Sequence, residues 1–190
     1  ILLASHDLQL IKNYCTGAIC LDRGRVVAAG EPELVTERYY YLMRSGGQLE
    51  ADALTWHGDT AGTRFASGRG AIEEVVIETP GGDGGEFPAG SMLKVRVAGR
   101  LFESGIAPAV VLMLRDVRGY NLHGLLAQGA DRLAVAGDGG FHCRFRLPLR
   151  LADGRYSLTV RLEDRRTQQL APVLDKHVGV CHFRVVDAAN

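Results

Sequence analysis

The chain has 190 residues, of which 46% are hydrophobic and 23% are charged, and these values are typical of globular proteins. Its 22 basic and 22 acidic side chains cancel, so the composition gives no general attraction to nucleic acid or to a membrane surface. No apolar run approaches the roughly 18 residues that a membrane-spanning helix needs, and no signal peptide is visible.

The first 43 residues predict a piece of an α/β fold. Residues 1–4 form an apolar run that predicts a buried strand, and the run ends at the Ser-His-Asp sequence of residues 5–7. Open α/β sheets place functional side chains at the carboxyl ends of such strands. An amphipathic segment comes next, then two short strands around an Asp-Arg-Gly turn, and a helix over 33–43 that Pro32 begins.

Residues 2–43 resemble the carboxyl-terminal edge of an ABC-transporter ATPase domain. His6 matches the switch histidine, which in that family contacts the ATP γ-phosphate. The motifs at 21–26 and 30–32 match the residues that follow this histidine in the family. The resemblance implies a parent protein that binds ATP and Mg²⁺. This chain has no Gly-x-x-x-x-Gly-Lys-Ser/Thr loop and no strand ending in Asp-Glu before His6. We therefore expect a fragment that starts inside the ATPase domain, without enzymatic activity or a cofactor, and with His6 exposed.

Residues 44–70 predict a linker, because the segment is rich in glycine and small polar residues and has no periodicity. Trp56 is the exception within it. A tryptophan in a linker usually packs on a neighbouring domain, and stacking on a ligand or docking a partner is the alternative.

Residues 71–190 predict an antiparallel β-sandwich, because short alternating strands succeed one another between glycine-rich turns, without a helical period. The predicted strands are 71–79, 91–100, 108–116, 120–127, 140–148, 155–164 and 180–187. The complete prediction is a mainly β, immunoglobulin-like sandwich, preceded by a truncated α/β ATPase tail (1–43) and the linker.

Alternation assigns a core face to each strand. The expected core positions are Leu93, Val95, Val97, Phe141, Cys143, Phe145, Leu147, Tyr156, Leu158, Val160, Leu162, Phe183 and Val185. The polar positions between them, including Ser157, Thr159, Arg161 and Glu163, are expected to face solvent. Residues 110–114 are apolar on both faces, which predicts a strand covered twice, either by another element of this chain or by a partner chain.

The β half resembles the carboxyl-terminal domain appended to ATP-binding subunits of bacterial polysaccharide exporters of the Wzt type. The matching motifs lie at 87–90, 115–122, 151–156 and 182–185. In that family the domain is similar to an immunoglobulin-like sandwich and recognises the finished O-antigen glycan for export.

The resemblance implies non-catalytic recognition of a lipid-linked polysaccharide, by its modified or terminal end, for ATP-driven export. It also implies a transmembrane exporter subunit and a second copy of the chain as partners, and a location at the cytoplasmic face of the membrane. One alternative is a dimerisation or regulatory module that binds no glycan. Another is an ABC ATPase with a different substrate class.

Candidate glycan contacts are aromatic, amide and arginine side chains, because sugars bind to flat rings and planar hydrogen-bonding groups, and anionic sugars to arginine. The candidates are Tyr120, Asn121, His123, Arg144, Arg146, Arg161, Arg184 and Trp56. An immunoglobulin-like order places Lys94 and Arg96 beside Arg144 and Arg146 on one sheet face, as a basic stripe. The same order places Arg161, Glu163, His182 and Arg184 together on the other face. The sequence does not show which of these groups binds the glycan.

A catalytic or metal site is not predicted in the β half. Glu163 and Asp164 are adjacent carboxylates, but a strand directs them to opposite faces. The histidines have no spacing typical of a metal site, and the four cysteines are expected to be buried free thiols.

Overall fold

The amino-terminal segment contains two short helices and a hairpin. Its elements are α1 (Leu8–Tyr14), β1 (Ala18–Asp22), β2 (Arg25–Gly30) and α2 (Pro32–Arg44). Asp7 caps α1, because its carboxylate accepts hydrogen bonds from the backbone N–H groups of Gln9 and Leu10. Arg23 and Gly24 both have positive φ, 48° and 78°, which is the conformation that a tight antiparallel hairpin turn requires.

The predicted strand at residues 1–4 is wrong. These residues have no regular structure and are exposed, and His6 is exposed as well. A strand of this kind is buried by its neighbours in a parallel sheet, and in the described part of the chain β1 and β2 pair only with each other.

Two sheets form the β half, and their strands pair antiparallel except for one parallel pair. The computed structural model describes residues 1–44, 55–59, 62–166 and 171–187. The strands in chain order are β3 (Thr55–Asp59), β4 (Gly62–Ala66), β5 (Gly70–Ile77), β6 (Glu86–Pro88), β7 (Met92–Leu101), β8 (Pro108–Asp116), β9 (Asn121–Gln128), β10 (Leu133–Val135), β11 (Gly140–Pro148), β12 (Gly154–Asp164) and β13 (Val173–Val186). The four-stranded sheet has the order β10-β11-β7-β5. The seven-stranded sheet has the order β3-β4-β13-β12-β8-β9, and β6 pairs in parallel with β13.

The hydrophobic core lies between these sheets and confirms the predicted β-sandwich. Leu93, Val95 and Val97 of β7 are fully buried, and they pack with apolar positions of β11, β12 and β13 in one cluster. Strands β8 and β11 have the predicted bounds. On β8 the burial extends to the outer face, where Met113 and Arg115 are 8% and 4% exposed.

Two strands lie inside the segment predicted to be a linker. Strand β4 pairs with β13, and β3 pairs with β4. Strand β13 begins at Val173, whereas the sequence predicted this strand to begin at residue 180. Its first half is a strand because it pairs with β4 and β12. The glycines and polar residues of β3 and β4 give no alternation, so periodicity does not detect them. Residues 45–54 and 60–61 of the predicted linker lie outside the described ranges.

No helix in the described part of the chain is long and apolar enough to cross a membrane.

Candidate functional site

Helix α2 lies against the outer face of the seven-stranded sheet. Nη2 of Arg115, on β8, donates to Oε1 of Glu37 over 3.0 Å. Nη1 of Arg161, on β12, donates to the hydroxyl of Tyr40 over 3.1 Å. Lys176, on β13, donates to Oε2 of Glu37, and its Nζ lies 5.2 Å from the ring centroid of Tyr40. The helix therefore spans three neighbouring strands and provides the second cover of β8 from within this chain.

The predicted solvent exposure of β12 is wrong, and α2 covers Arg161 on this face. Thr159, Arg161 and Glu163 are 0%, 6% and 0% exposed, although they stand at the polar positions of the alternation. Nε of Arg161 lies 2.6 Å from Oε1 of Glu163, so the two charges compensate each other. Alternation identifies the two faces of a strand, but it does not show that a helix covers the polar one.

Five ionised side chains meet where α1 and α2 contact the sheet, and we call them the junction cluster: Lys12, Glu33, Glu37, Arg115 and Lys176. Nζ of Lys12 lies 2.9 Å from Oε2 of Glu33 and 3.4 Å from Oε1 of Glu37. Nη1 of Arg115 donates to Oε1 of Glu33 over 2.9 Å. The acidic members belong to α2 and two of the cations belong to the sandwich, so opposite charges connect the two parts of the chain.

Glu37 and Lys176 are both charged at neutral pH. Burial alone would raise the pKa of Glu37, but the charges of Lys176, Arg115 and Lys12 outweigh it and lower this pKa to about 2. Burial lowers the pKa of Lys176 to about 8, although the neighbouring Glu37 carboxylate opposes the shift. A buried pair of this kind is stable only while both partners remain charged.

A cavity of about 940 Å³ opens beside the junction cluster, and we call it the junction cavity. Its walls come from α1, the first turn of α2, the turn after β8, and strands β12 and β13. The lining residues are Lys12, Asn13, Tyr14, Glu33, Arg115, Asp116, Val117, Arg118, Gly119, Tyr120, Arg155, Tyr156, Ser157, Val178, Gly179 and His182. Both parts of the chain therefore contribute to one cavity.

The turn after β8 fixes Tyr120 in the cavity wall. Oδ1 of Asp116 accepts hydrogen bonds from the backbone N–H groups of Arg118 and Tyr120, each over 2.9 Å. Gly119 has a φ of 77°, and a Cβ at this position would lie 3.3 Å from Oε2 of Glu33, so the turn is closely apposed to α2. The amide nitrogen of Asn13 donates to the Tyr120 hydroxyl. Tyr120 is thus held by both its backbone and its hydroxyl group.

The chemistry of the junction cavity suits a carbohydrate. Tyr14, Tyr120 and Tyr156 line it, and Tyr14 is 77% exposed, which leaves a ring surface for sugar C–H groups. Arg155 and His182 add hydrogen-bonding groups for hydroxyls. A saccharide needs this combination of flat apolar surface and planar polar groups.

Asn121 and His123 do not join Tyr120 in the cavity. Oδ1 of Asn121 accepts a hydrogen bond from Nε of Arg115 over 2.9 Å, which connects it to the junction cluster. His123 is exposed on β9, the last strand of its sheet among the described residues. Of the three residues predicted as one cluster, only Tyr120 faces the cavity.

The basic stripe has the predicted register. Arg144 pairs with Arg96, and Arg146 pairs with Lys94, across β11 and β7. Glu78 neutralises part of this surface, since it lies 3.3 Å from Nε of Arg96 and 3.3 Å from Nε of Arg144. A more open depression of about 590 Å³ lies on the same sheet, lined by Arg96, Arg144, His142 and the backbone around Gly99. This face is the second candidate, but it presents fewer aromatic groups.

Arg161 and Arg184, predicted to lie together, occupy different surroundings. Arg161 is buried beneath α2, where it donates a hydrogen bond to Tyr40 and forms an ion pair with Glu163, so it is not accessible to a ligand. Arg184 is half exposed and lies 3.2 Å from Asp153 and 3.5 Å from Glu86. Neither residue lines the junction cavity.

Trp56 lies in β3, where its backbone pairs with that of Phe65, and its side chain lies outside the described part of the structure. His6 is exposed before α1. Within the described ranges, no group of three or more His, Cys, Asp or Glu side chains is arranged to hold a metal ion.

Sequence reasoning missed the contribution of the amino-terminal segment to the cavity. Lys12, Tyr14 and Glu33 were not predicted as site residues, because no motif in the sequence shows which surface of the sandwich the segment contacts. One signal was present: Glu33, Glu37 and Tyr40 recur at helical spacing and form a polar face on α2.

Comparison with known proteins decides the family. Residues 62–190 match the family model described as the Wzt C-terminal domain, which is more than half of the chain. The chain belongs to the Wzt C-terminal domain family. A Wzt C-terminal domain is carried by the ATP-binding subunit of polysaccharide ABC transporters, so the resemblance of the β half to this domain is confirmed. The match begins within the segment predicted to be a linker.

The Wzt fold is also found by structural comparison. A crystal structure of the C-terminal domain of wzt superimposes with a TM-score of 0.58 and 15% sequence identity, covering 69% of this chain and 81% of that chain. At this identity the likeness establishes the fold alone. No curated protein matches the chain.

Proposed function

We propose that the sandwich recognises a lipid-linked polysaccharide of the O-antigen type, by its modified or terminal end, and that it has no catalytic role. One observation carries the proposal: the junction cavity of this Wzt domain combines tyrosine rings with planar hydrogen-bonding groups. Sugar rings bind to such surfaces through their C–H faces and hydroxyls. Family membership supports the substrate class.

In the intact parent, recognition precedes transport. An ATPase domain completed around the amino-terminal segment would bind ATP and Mg²⁺, with His6 at the γ-phosphate. The partners are a transmembrane exporter subunit and a second copy of the chain, at the cytoplasmic face of the membrane. The sandwich then selects finished chains and presents them to the transmembrane subunit.

Each lining group has a separate role in binding. The exposed ring of Tyr14 stacks on a sugar face, while Tyr120 and Tyr156 form the aromatic wall. Arg118 and Arg155 are the cations that an acidic sugar or a phosphate at the chain end would contact. No bond is made or broken in the ligand.

Calorimetric titration of the 190-residue chain tests the proposal. The ligand is lipid-free polysaccharide purified from the organism of origin, and an unrelated polymer is the control. We expect saturable binding of the first polymer alone. Tyr14→Ala should weaken it about tenfold, which corresponds to roughly 1.4 kcal/mol. The matched control is Phe102→Ala, which removes a 55% exposed aromatic ring that does not line the cavity.

Other outcomes relocate or reject the site. Loss of binding in Arg144→Ala and Arg146→Ala, with Tyr14→Ala unaffected, would move the site to the four-stranded sheet. Absence of binding by a folded chain, at millimolar concentrations of chain ends, would overturn glycan recognition.

The alternative, a dimerisation module without glycan binding, is favoured by the edge strand β9. This strand pairs only with β8 among the described residues, and its Leu122 and Leu126 are 46% and 38% exposed. A second copy could pair with this edge and cover both leucines. Light scattering of Leu126→Lys tests it, because a dimer built on this edge should dissociate.

A further inference from the structure

The junction cavity belongs to two parts of the chain at once. Lys12, Asn13 and Tyr14 come from α1, and Glu33 comes from α2, whereas the remaining lining residues belong to the sandwich. The Asn13 amide bonds to the Tyr120 hydroxyl across the cavity wall. If α1 and α2 left the sandwich, this wall would be lost.

Polar contacts hold α1 and α2 on the sandwich. Among the described residues they include the junction cluster and the hydrogen bonds from Asn13 to Tyr120 and from Arg161 to Tyr40. The main hydrophobic core, in contrast, is formed by residues from Ile72 onward in the part of the chain that the structure describes. Release of the amino-terminal segment therefore leaves the sandwich core intact, although it exposes buried charges.

We infer that ligand binding in the junction cavity and docking of the amino-terminal ATPase-like segment on the sandwich are thermodynamically linked, so that each favours the other. This inference rests on the proposed function. A saccharide in the cavity contacts Tyr14 only when the segment is docked, so it binds the docked state more tightly. A ligand shifts a two-state equilibrium by the ratio of its two affinities. A ligand in the cavity thus stabilises the docked state of the segment that resembles the ATPase domain.

Hydrogen–deuterium exchange on the whole chain tests the link. The probe is the same lipid-free polysaccharide, added until binding saturates. We expect slower exchange of backbone amides in α2 (Pro32–Arg44) as well as in strands β12 and β13. Slowing confined to the sandwich, with saturable binding, would overturn the inference and leave glycan recognition in place. Absence of any binding would overturn both.

Variants that loosen docking without touching the cavity lining give the reciprocal test. Glu37→Gln removes the central charge of the junction cluster and should weaken polysaccharide binding about tenfold, within the usual range of coupling between sites. Tyr40→Phe deletes one hydroxyl and is the milder variant, expected to fold and to lose less affinity.

The matched control is Glu103→Gln, which breaks an ion pair with Arg69 away from α2 and from the cavity. We expect its affinity to equal that of the unmodified chain. Circular dichroism establishes that each variant retains the sheets. Unchanged affinity in both Glu37→Gln and Tyr40→Phe, together with faster amide exchange in α2, would show that docking and binding are independent.

Discussion

Arg64 and Asp175 form a two-point ion pair, in which Nε donates to Oδ1 over 3.1 Å and Nη2 donates to Oδ2 over 2.8 Å. The Asp175 carboxylate is fully buried and also accepts a hydrogen bond from the backbone N–H of Ile72 over 2.6 Å. Burial opposes its ionisation, but hydrogen bonds from His177, Arg64 and Ile72 lower its pKa overall. One carboxylate therefore connects β4, β5 and β13, and so both sheets.

Asp175→Asn should lower the free energy of unfolding by about 3 kcal/mol, because it removes a buried charge and leaves the facing donors poorly matched. Urea unfolding followed by circular dichroism measures the loss. Asp131→Asn is the control, since Asp131 is 80% exposed and its change should stay within about 0.5 kcal/mol. Equal effects of the two substitutions would contradict the structural role of Asp175.

Gly99→Ala should destabilise the four-stranded sheet by about 2–3 kcal/mol. An added Cβ would lie 2.1 Å from the carbonyl oxygen of Ala71 and 2.6 Å from Cζ of Phe141, so strand and ring must both move. Gly124→Ala is the matched control, because no atom lies within 4 Å of its Cβ position. The same unfolding measurement should show a change within about 0.5 kcal/mol for the control. A stable Gly99→Ala chain would disprove this packing.

Docking of α2 should weaken in acid. Glu37 faces Lys12, Arg115 and Lys176, and its pKa is lowered from 4.5 to about 2. Because the pKa is lower in the docked state, the carboxylate favours docking above pH 4.5, and this contribution is lost as the pH falls towards 2. The pKa of Lys176, about 8, lies above this window. The loss is on the order of 3 kcal/mol.

Amide exchange in α2, corrected for intrinsic rates, measures this effect between pH 5 and pH 3. We expect greater opening at the lower pH. Glu37→Gln should open at both pH values, with a smaller difference between them. Equal acid sensitivity of the variant and the original chain would assign the effect to another carboxylate.

Cys15 should react first with iodoacetamide. Burial raises the pKa of both Cys143 and Cys181 to about 12 and also raises that of Cys20, whereas the Cys15 side chain is partly exposed. Peptide mass spectrometry after labelling at pH 8 should therefore find modification at Cys15. In urea all four thiols should react. Early labelling of Cys143 would contradict its burial in the core.

The sandwich was predictable because glycine-rich turns delimit strands such as β8 and β11, and because alternation marks one buried face. The outer face was not predictable in the same way. Arg161 and Glu163 follow the polar alternation and are nevertheless buried. A helix from a distant part of the chain covers Arg161, and Glu163 forms ion pairs with Arg161 and Arg165. A period of two distinguishes the faces of a strand, but it contains no information on what packs against them.

The candidate site was predictable only in part, for a related reason. Tyr120 stands beside a recognisable turn and carries glycan-binding chemistry, so the sequence identified it. Its neighbours Asn13 and Tyr14 are more than one hundred positions away, and no local signal brings them together. Strand β4 was missed because its partner, β13, lies far along the chain.

Strand β13 also determines when the domain can form during synthesis. It pairs with β12, β4 and β6, and all of these precede it in the chain. While the ribosome is still translating residues before 173, β6 lacks its partner β13, and β4 and β12 each have one open edge, since they pair with β3 and β8 on the other side. Such edges are prone to pairing with other nascent chains. The seven-stranded sheet therefore closes late, after its central strand has emerged, and long-range pairing of this kind is slow.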